Sequence, residues 1–323
     1  MKIRNIVLTS AAVLFCTASI SATTIAHTWV SGSGSNSNAC TFALPCATFA
    51  GALTNTTSGG MITAMDAGDF GAVNISKSVT IDGANMGSIT FSGGNGITVS
   101  VSVNVTVQNL TINGLGSASS GIDVTSGGTV IVDNCRIMNI TTYGIYFAGT
   151  GNLTVENSRI ESMLESGGVG ILVNGSASQN VIVRNTIIDA SPNWAINFGF
   201  YVDTGTGPVQ ASLQNVTIMG AGYFAVAIGN GVTEITGSVL TQSDYGVYAT
   251  NGATISVASS MITANTYGVC SNTGSKIRLD NNDIYDNTTA IGNCGGIVKT
   301  SGTNKVSGTI AIPATDISES VTF

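Results

Sequence analysis

A short string, aliphatic, any residue, corner, any, any, then Ile or Leu, returns eight times between Val107 and Ile284. The corner column reads Asn109, Asn134, Asn157, Asn185, Asn215, Gly237, Ser259 and Asn281, in steps of 25, 23, 28, 30, 22, 22 and 22 residues. Three residues further on stand Ile112, Ile137, Ile160, Ile188, Ile218, Leu240, Ile262 and Ile284. A period of this length makes each repeat one turn of a solenoid, because a single turn cannot hide its own apolar side and must bury it against its neighbours. A second column keeps step with the first: Ile97, Ile122, Ile145, Ile171, Ile196, Val226, Val247, Val269 and Ile291, usually preceded by Gly or Ala. Three short strands per turn fill the period. At ~4.8 Å per turn, ten or eleven turns predict a rod about 50 Å long.

Asn suits a fixed corner, since it tolerates left-handed backbone and its amide can hydrogen-bond the Asn one turn above and below. The column Asn109, Asn134, Asn157, Asn185, Asn215 and Asn281 is therefore expected to form a structural ladder. Leucine-rich repeats also carry an Asn corner but need several Leu per repeat, and this chain has 12 in all. Calcium-binding nonapeptide arrays need GGxGxD runs, which do not occur.

The ends differ from the middle. Met1-Lys2-Ile3-Arg4, an apolar stretch from Ile6 to Phe15 and small residues up to Ala22 and Ala26 have the layout of a secretory leader. Residues 1–26 are read as that leader, with cleavage after Ala22 or Ala26, 27–60 as an N-terminal segment and cap, 61–308 as the solenoid and 309–323 as a C-terminal cap. Within the first cap, Phe49, Ala52 and Leu53 fall on one helical stripe and predict a short amphipathic helix. No later stretch is apolar enough to span a membrane, so a secreted or periplasmic protein is expected. Without Lys2 and Arg4, 8 basic residues face 17 acidic ones, a balance that disfavours nucleic acid as a partner.

Cys40 and Cys46 close a short loop, and Cys270 and Cys294 lie about one repeat apart; both pairings suit an oxidising compartment, although spacing does not prove connectivity. Cys135, one residue past a corner, reads as a buried, inert thiol. His27 is the sole histidine, which excludes Ser-His-Asp and Cys-His catalysis and histidine zinc sites.

Positions one before and two after the corner are expected to face outward. Stacking then gathers Asp133, Glu156, Arg136, Arg159 and Arg184 into the densest charge cluster of a chain with only 8% charged residues. A ladder of cross-strand ion pairs and a catalytic patch are both consistent with it. Tyr143, Trp194, Phe224, Tyr245 and Tyr267 each precede the second apolar column by two residues, with Tyr146, Tyr223 and Tyr248 close by. Facing out, these rings would make a strip for stacking sugars; facing in, they would be packing. Asp280, Asp283 and Asp286 in DNNDIYDN suggest calcium at first sight, but the string lacks the Gly and terminal Glu of an EF-hand loop.

The segment AGDFGAVNISKSVTIDG, the units YGIY (143–146), YGVY (245–248) and YGVC (267–270) and the leading cap resemble the right-handed single-stranded parallel β-helix proteins of the pectin-lyase-like superfamily. The opening TWVSGSGSNSNACTFALPCATFAGAL is similar to a bacterial secreted subgroup of that fold. The resemblance covers nearly the whole mature chain and implies an all-β solenoid. For an enzyme on acidic polysaccharide it implies an arginine base, Arg159 or Arg184, with Asp133 and Glu156 as acid or calcium ligands. The sequence carries no lyase or hydrolase signature string, so the leading expectation is an exported, non-catalytic protein that contacts polysaccharide or another cell-envelope component. The alternatives are a lyase, epimerase or hydrolase acting on acidic glycan, and a purely structural or adhesive protein.

Overall fold

A computed structural model describes residues 25–164, 166–190, 197–203, 205 and 207–312. Each repeat forms one coil of three parallel strands, and the coils stack in register. The first face, preceding the corner, holds twelve strands, from Ile25–Val30 and Thr56–Ala64 through Gly128–Asp133 and Gly151–Glu156 to Ile297–Thr300. The second face holds short strands after the corner, among them Arg159–Met163, Ile187–Asp189 and Val239–Thr241. The third face holds Val169–Val173, Phe198–Val202, Phe224–Ile228, Tyr245–Ala249 and Tyr267–Asn272. In two coils the second and third faces belong to one bent strand, Thr111–Val124 and Arg136–Phe147.

The sequence columns become stacks. Ile112, Ile137, Ile160, Ile188, Ile218, Leu240, Ile262 and Ile284 pair coil to coil and are all fully buried. So are Ile97, Ile122, Ile145, Ile171, Val226, Val247 and Val269. One assignment needs correction. Ile196 lies outside the described residues, and its place between Ile171 and Val226 is taken by Phe200. That coil is the longest, with 30 residues between corners, and its extra length shifts the phase of everything after the corner.

Every corner residue adopts the left-handed backbone expected of it, with φ from 49° at Asn134, Asn185 and Ser259 to 61° at Gly237. This conformation strains most side chains and is tolerated by Asn and Gly. A second constraint explains the Gly before the third-face Ile: a Cβ on Gly144 would sit 2.4 Å from Ile160 Cγ2 and 2.5 Å from the Gly170 carbonyl oxygen. The chain bends there, so Gly144 and Ile145 both turn inward and Tyr143 is left on the outer side.

Helix α1 (Phe49–Asn55) is capped by the Thr48 hydroxyl, which accepts from Gly51 N at 3.0 Å. It buries Phe49, Ala52 and Leu53, and the Phe49 ring meets Phe70 edge-on at 5.2 Å. The open end of the first coil is thus covered, as the stripe predicts. The sheet reaches beyond 61–308 at both ends, since Ile25–Val30 and Thr56–Ala64 are paired first-face strands and Thr309–Ile310 extends the third face. Ile25 and Ala26, the last two of the residues read as a leader, already belong to this first strand. Disulfides join Cys40 to Cys46 and Cys270 to Cys294, the latter clamping two adjacent third-face strands at Tyr267–Asn272 and Thr289–Cys294.

Candidate functional site

Two surfaces gather the residues singled out from the sequence. The first runs along the corner. Gln108, Asp133, Glu156, Arg184 and Gln214 pair in one outward column, and Thr111, Arg136, Arg159, Ile187 and Thr217 in another. Between them runs the Asn ladder. Asn134 Nδ2 donates to Asn109 Oδ1 and to Asn85 Oδ1, each at 2.8 Å. Asn185 donates to Asn157 at 3.3 Å, Asn215 to Asn185 at 3.4 Å and Asn281 to the Ser259 hydroxyl at 3.3 Å. The ladder breaks where Asn157 Nδ2 turns to Asp133 Oδ1 at 2.8 Å instead of Asn134, and again at Gly237, which has no side chain to offer. A shallow groove of about 390 Å³ follows this edge, lined by Asn109, Asn134, Asn157, Arg136 and Arg159 among others.

The arginines are not idle within the groove. Glu161, two residues beyond Arg159 and almost fully buried, is bonded by both Arg159 and Arg136. Arg159 also reaches Asp189 at 3.2 Å, and Arg184 pairs with Glu156 at 2.5 Å. Hydrogen bonding to Glu161 raises the Arg159 guanidinium above its already high ordinary value. Burial pushes the Glu161 carboxyl up, but the bonds from Arg159 and Arg136 outweigh it and hold it below the usual carboxylate range. An arginine so paired is a poor proton acceptor. Sequence reasoning missed Glu161 and Asp189, although both stand four residues past a corner, in a column that alternation also turns outward.

Inside the corner lies a second polar stack that was not anticipated. Ser158, Thr186, Ser238, Ser260 and Asn282 are buried, and their side chains accept backbone N–H groups from the coil before, as in Cys135 N to Ser158 Oγ at 3.1 Å and Ser260 N to Asn282 Oδ1 at 3.0 Å. Ser, Thr and Asn recurring one residue past the corner was the available signal. Cys135 sits in the same column, buried, its thiol pushed up to about 12 chiefly by burial, as its reading as an inert thiol requires.

The second surface is the outer side of the third face. Tyr143, Phe198, Phe224, Tyr245 and Tyr267 share one outward column, in which Val169 separates Tyr143 from Phe198. Tyr146, Tyr201 and Tyr248 share the next, with Leu172 and Ala227 between them. Rings meet from coil to coil: Phe198 with Phe224 at 5.5 Å, Phe224 with Tyr245 at 5.1 Å and with Tyr248 at 4.6 Å, and Tyr245 stacked on Tyr267 at 4.9 Å. Tyr223 joins from the preceding turn, edge-on to Phe198 and Tyr245 at 5.9 and 5.7 Å, and is 36% exposed. Tyr143 stacks on Tyr146 at 5.1 Å. Trp194 lies outside the described residues.

The carboxylates of DNNDIYDN are occupied within the protein at two of three positions. Asp280 Oδ1 accepts from Ser301 at 2.5 Å and Thr303 at 2.8 Å, and Asp283 pairs with Lys305 at 3.2 Å. Among the described residues no three His, Cys, Asp or Glu converge as a metal site would require, and no helix is long and apolar enough to cross a membrane.

The solved structure of pectate lyase Pel9A is similar over 90% of this chain and 79% of its own, with 15% identity and a TM-score of 0.58. The A-module of the Azotobacter vinelandii mannuronan C-5 epimerase AlgE6 aligns with 74% of this chain and 71% of its own, at 12% identity and a TM-score of 0.41. No curated protein sequence matches the chain. At these identities the likeness to Pel9A concerns the path of the chain and not its chemistry. The sequence profile of the right handed beta helix region matches residues 71–210 and 198–315. With its stacked columns, left-handed Asn corners and three parallel faces, the chain belongs to that family of right-handed β-helices.

Proposed function

We propose that this chain is an exported protein that binds a polysaccharide along its third face without cleaving it. One observation carries the reading: outward rings in contact from Phe198 to Tyr267 across four consecutive coils, in a chain with only 6% aromatic residues. Phe224 is itself buried, but Phe198, Tyr223, Tyr245 and Tyr267 around it are partly exposed, and such rings offer the flat apolar faces on which sugar rings stack. The two disulfides and the leader-like residues 1–26 agree with export. Glycan-array binding by the folded protein, lost in Tyr245→Ala and in Tyr267→Ala, supports the proposal; binding unchanged in both removes it.

The corner groove favours a second reading, in which an acidic glycan is processed there by Arg159 or Arg184 with Asp133 and Glu156. The arginine side chains keep 40 to 54% of their surface exposed. Incubation with polygalacturonate or alginate, with and without calcium, tests it. Unsaturated uronide or new reducing ends, abolished by Arg159→Ala or Arg184→Ala, establish the second reading in place of the first.

A further inference from the structure

We infer that the polysaccharide taken by the third face is a neutral one, not a uronate polymer. The inference rests on the third face being the binding surface and adds the class of ligand. Among the described residues, no Lys or Arg lies in any third-face strand or in the third-face half of the two bent strands. Arg136, Arg159 and Lys305 stand in second-face strands, Arg184, Lys276, Arg278 and Lys299 in first-face strands, and Lys77 spends its ammonium on the Thr56 carbonyl at 2.8 Å.

The charges that do border the rings are all negative. Asp123 precedes Tyr146 by one coil in its column, Asp203 accepts from the Tyr201 hydroxyl at 3.3 Å, and Asp244 is exposed immediately before Tyr245. Asp123 is held in place by Asn95, whose Nδ2 donates to Oδ2 at 2.5 Å. The phenols register this field as well. Burial, followed by neighbouring tyrosines and aspartates, raises Tyr146 and Tyr245, and burial with Asp203 pushes Tyr201 up to about 12.

A uronate polymer presents one carboxylate per sugar. Laid on this strip it would place a row of anions over rings edged by three aspartates, with no cation to receive any of them, and repulsion of that kind disfavours a ligand whatever its stacking contributes. Uncharged sugars meet no such opposition. Their apolar ring faces lie on the tyrosines, and their hydroxyls can donate to phenol and carboxylate oxygens. Arg136, Arg159 and Arg184 stand one face away beside the corner, and there Glu161, Asp189 and Glu156 already pair with them.

Isothermal titration with three oligosaccharide sets of matched length tests this: xylan or β-glucan oligosaccharides, oligogalacturonate, and chitosan oligosaccharides. The neutral set should bind at least tenfold more tightly than oligogalacturonate, with affinity unmoved between low salt and 0.5 M NaCl, because no ion pair forms (added salt screens within about 4 Å). Asp244→Lys, a change at an exposed position, should raise oligogalacturonate affinity at least fivefold. Each set is repeated on Tyr245→Ala and Tyr267→Ala, with circular dichroism confirming the fold. Oligogalacturonate bound as tightly as the neutral sugars and lost in the tyrosine variants, or chitosan bound tightest with affinity falling in salt, overturns the charge inference while leaving the surface in place. Binding of every set that ignores both tyrosine variants overturns the surface and the inference together.

Discussion

Glu161→Gln probes the charged column at the point where its partners converge. Glu161 is 7% exposed and holds Arg136 and Arg159, which occupy paired positions on adjacent strands. The substitution keeps the shape and one acceptor but removes the charge between two stacked cations. Hydrogen bonds to a charged group are worth about 1.5–3 kcal/mol each, and the half-exposed arginines limit the loss to the lower end of that range. Two guanidinium groups ~6 Å apart at an effective dielectric near 50 repel by about 1 kcal/mol once the anion is gone. The expected destabilisation is therefore about 2–4 kcal/mol, read from the urea midpoint at constant slope. Raising NaCl to 0.5 M should restore the repulsive part, about 1 kcal/mol. A double-mutant cycle with Arg159→Met should give a coupling of at least about 1 kcal/mol. The sign with pH follows from the lowered carboxyl of Glu161. Its stabilisation is fully present above the ordinary value of 4.5 and is lost as pH falls through the lower folded value, so wild type and variant should converge in acid. A shift below about 0.5 kcal/mol at pH 7, insensitive to salt, would refute the argument and show the network to be an exposed one that solvent already screens.

Three further outcomes are expected. Gly144→Ala, whose Cβ meets the Gly170 carbonyl oxygen at 2.5 Å, should cost about 2–3 kcal/mol, and a urea midpoint within error of wild type would show that the bend at this position is not forced by close packing. Removing the Cys270–Cys294 bridge by Cys270→Ser with Cys294→Ser opens a loop of 24 residues and should cost about 3 kcal/mol; thermal unfolding that is indifferent to reductant contradicts this. Asp123 has its carboxyl raised by burial above the ordinary 3.8, with the bond from Asn95 opposing, and its Oδ1 is buried without a partner. It destabilises the fold above that pH, so Asp123→Asn should raise stability by up to about 1 kcal/mol at pH 7 after allowance for solvent screening. The gain should vanish as the pH is brought below 3.8, and a variant less stable at pH 7 than in acid, relative to wild type, counts against it.

The sequence by itself determined the coil. Ile112 to Ile284 and the corner from Asn109 to Asn281 could be placed because both columns serve local needs, burial on one side and left-handed backbone on the other, that every turn of a solenoid repeats. The stripe Phe49, Ala52 and Leu53 was legible for the same reason, since helical periodicity is a local property. Where the outcome depended on a neighbour several tens of residues away, the tertiary structure decided. Arg159 could be set in an outward column, but its partners Glu161 and Asp189 came from the geometry of the second face. Tyr143 and Tyr245 share alternation with buried Ile145 and Val247, and a strict period of two would have turned them inward. The bend at Gly144 and its equivalents, forced by backbone one coil away, put the rings outside. The insertion before the third face in the 30-residue coil likewise gave Phe200 the place that spacing assigned to Ile196. A period read along a chain fixes which residues stack, whereas the direction each one faces is fixed by the bends and insertions that only packing between coils can set.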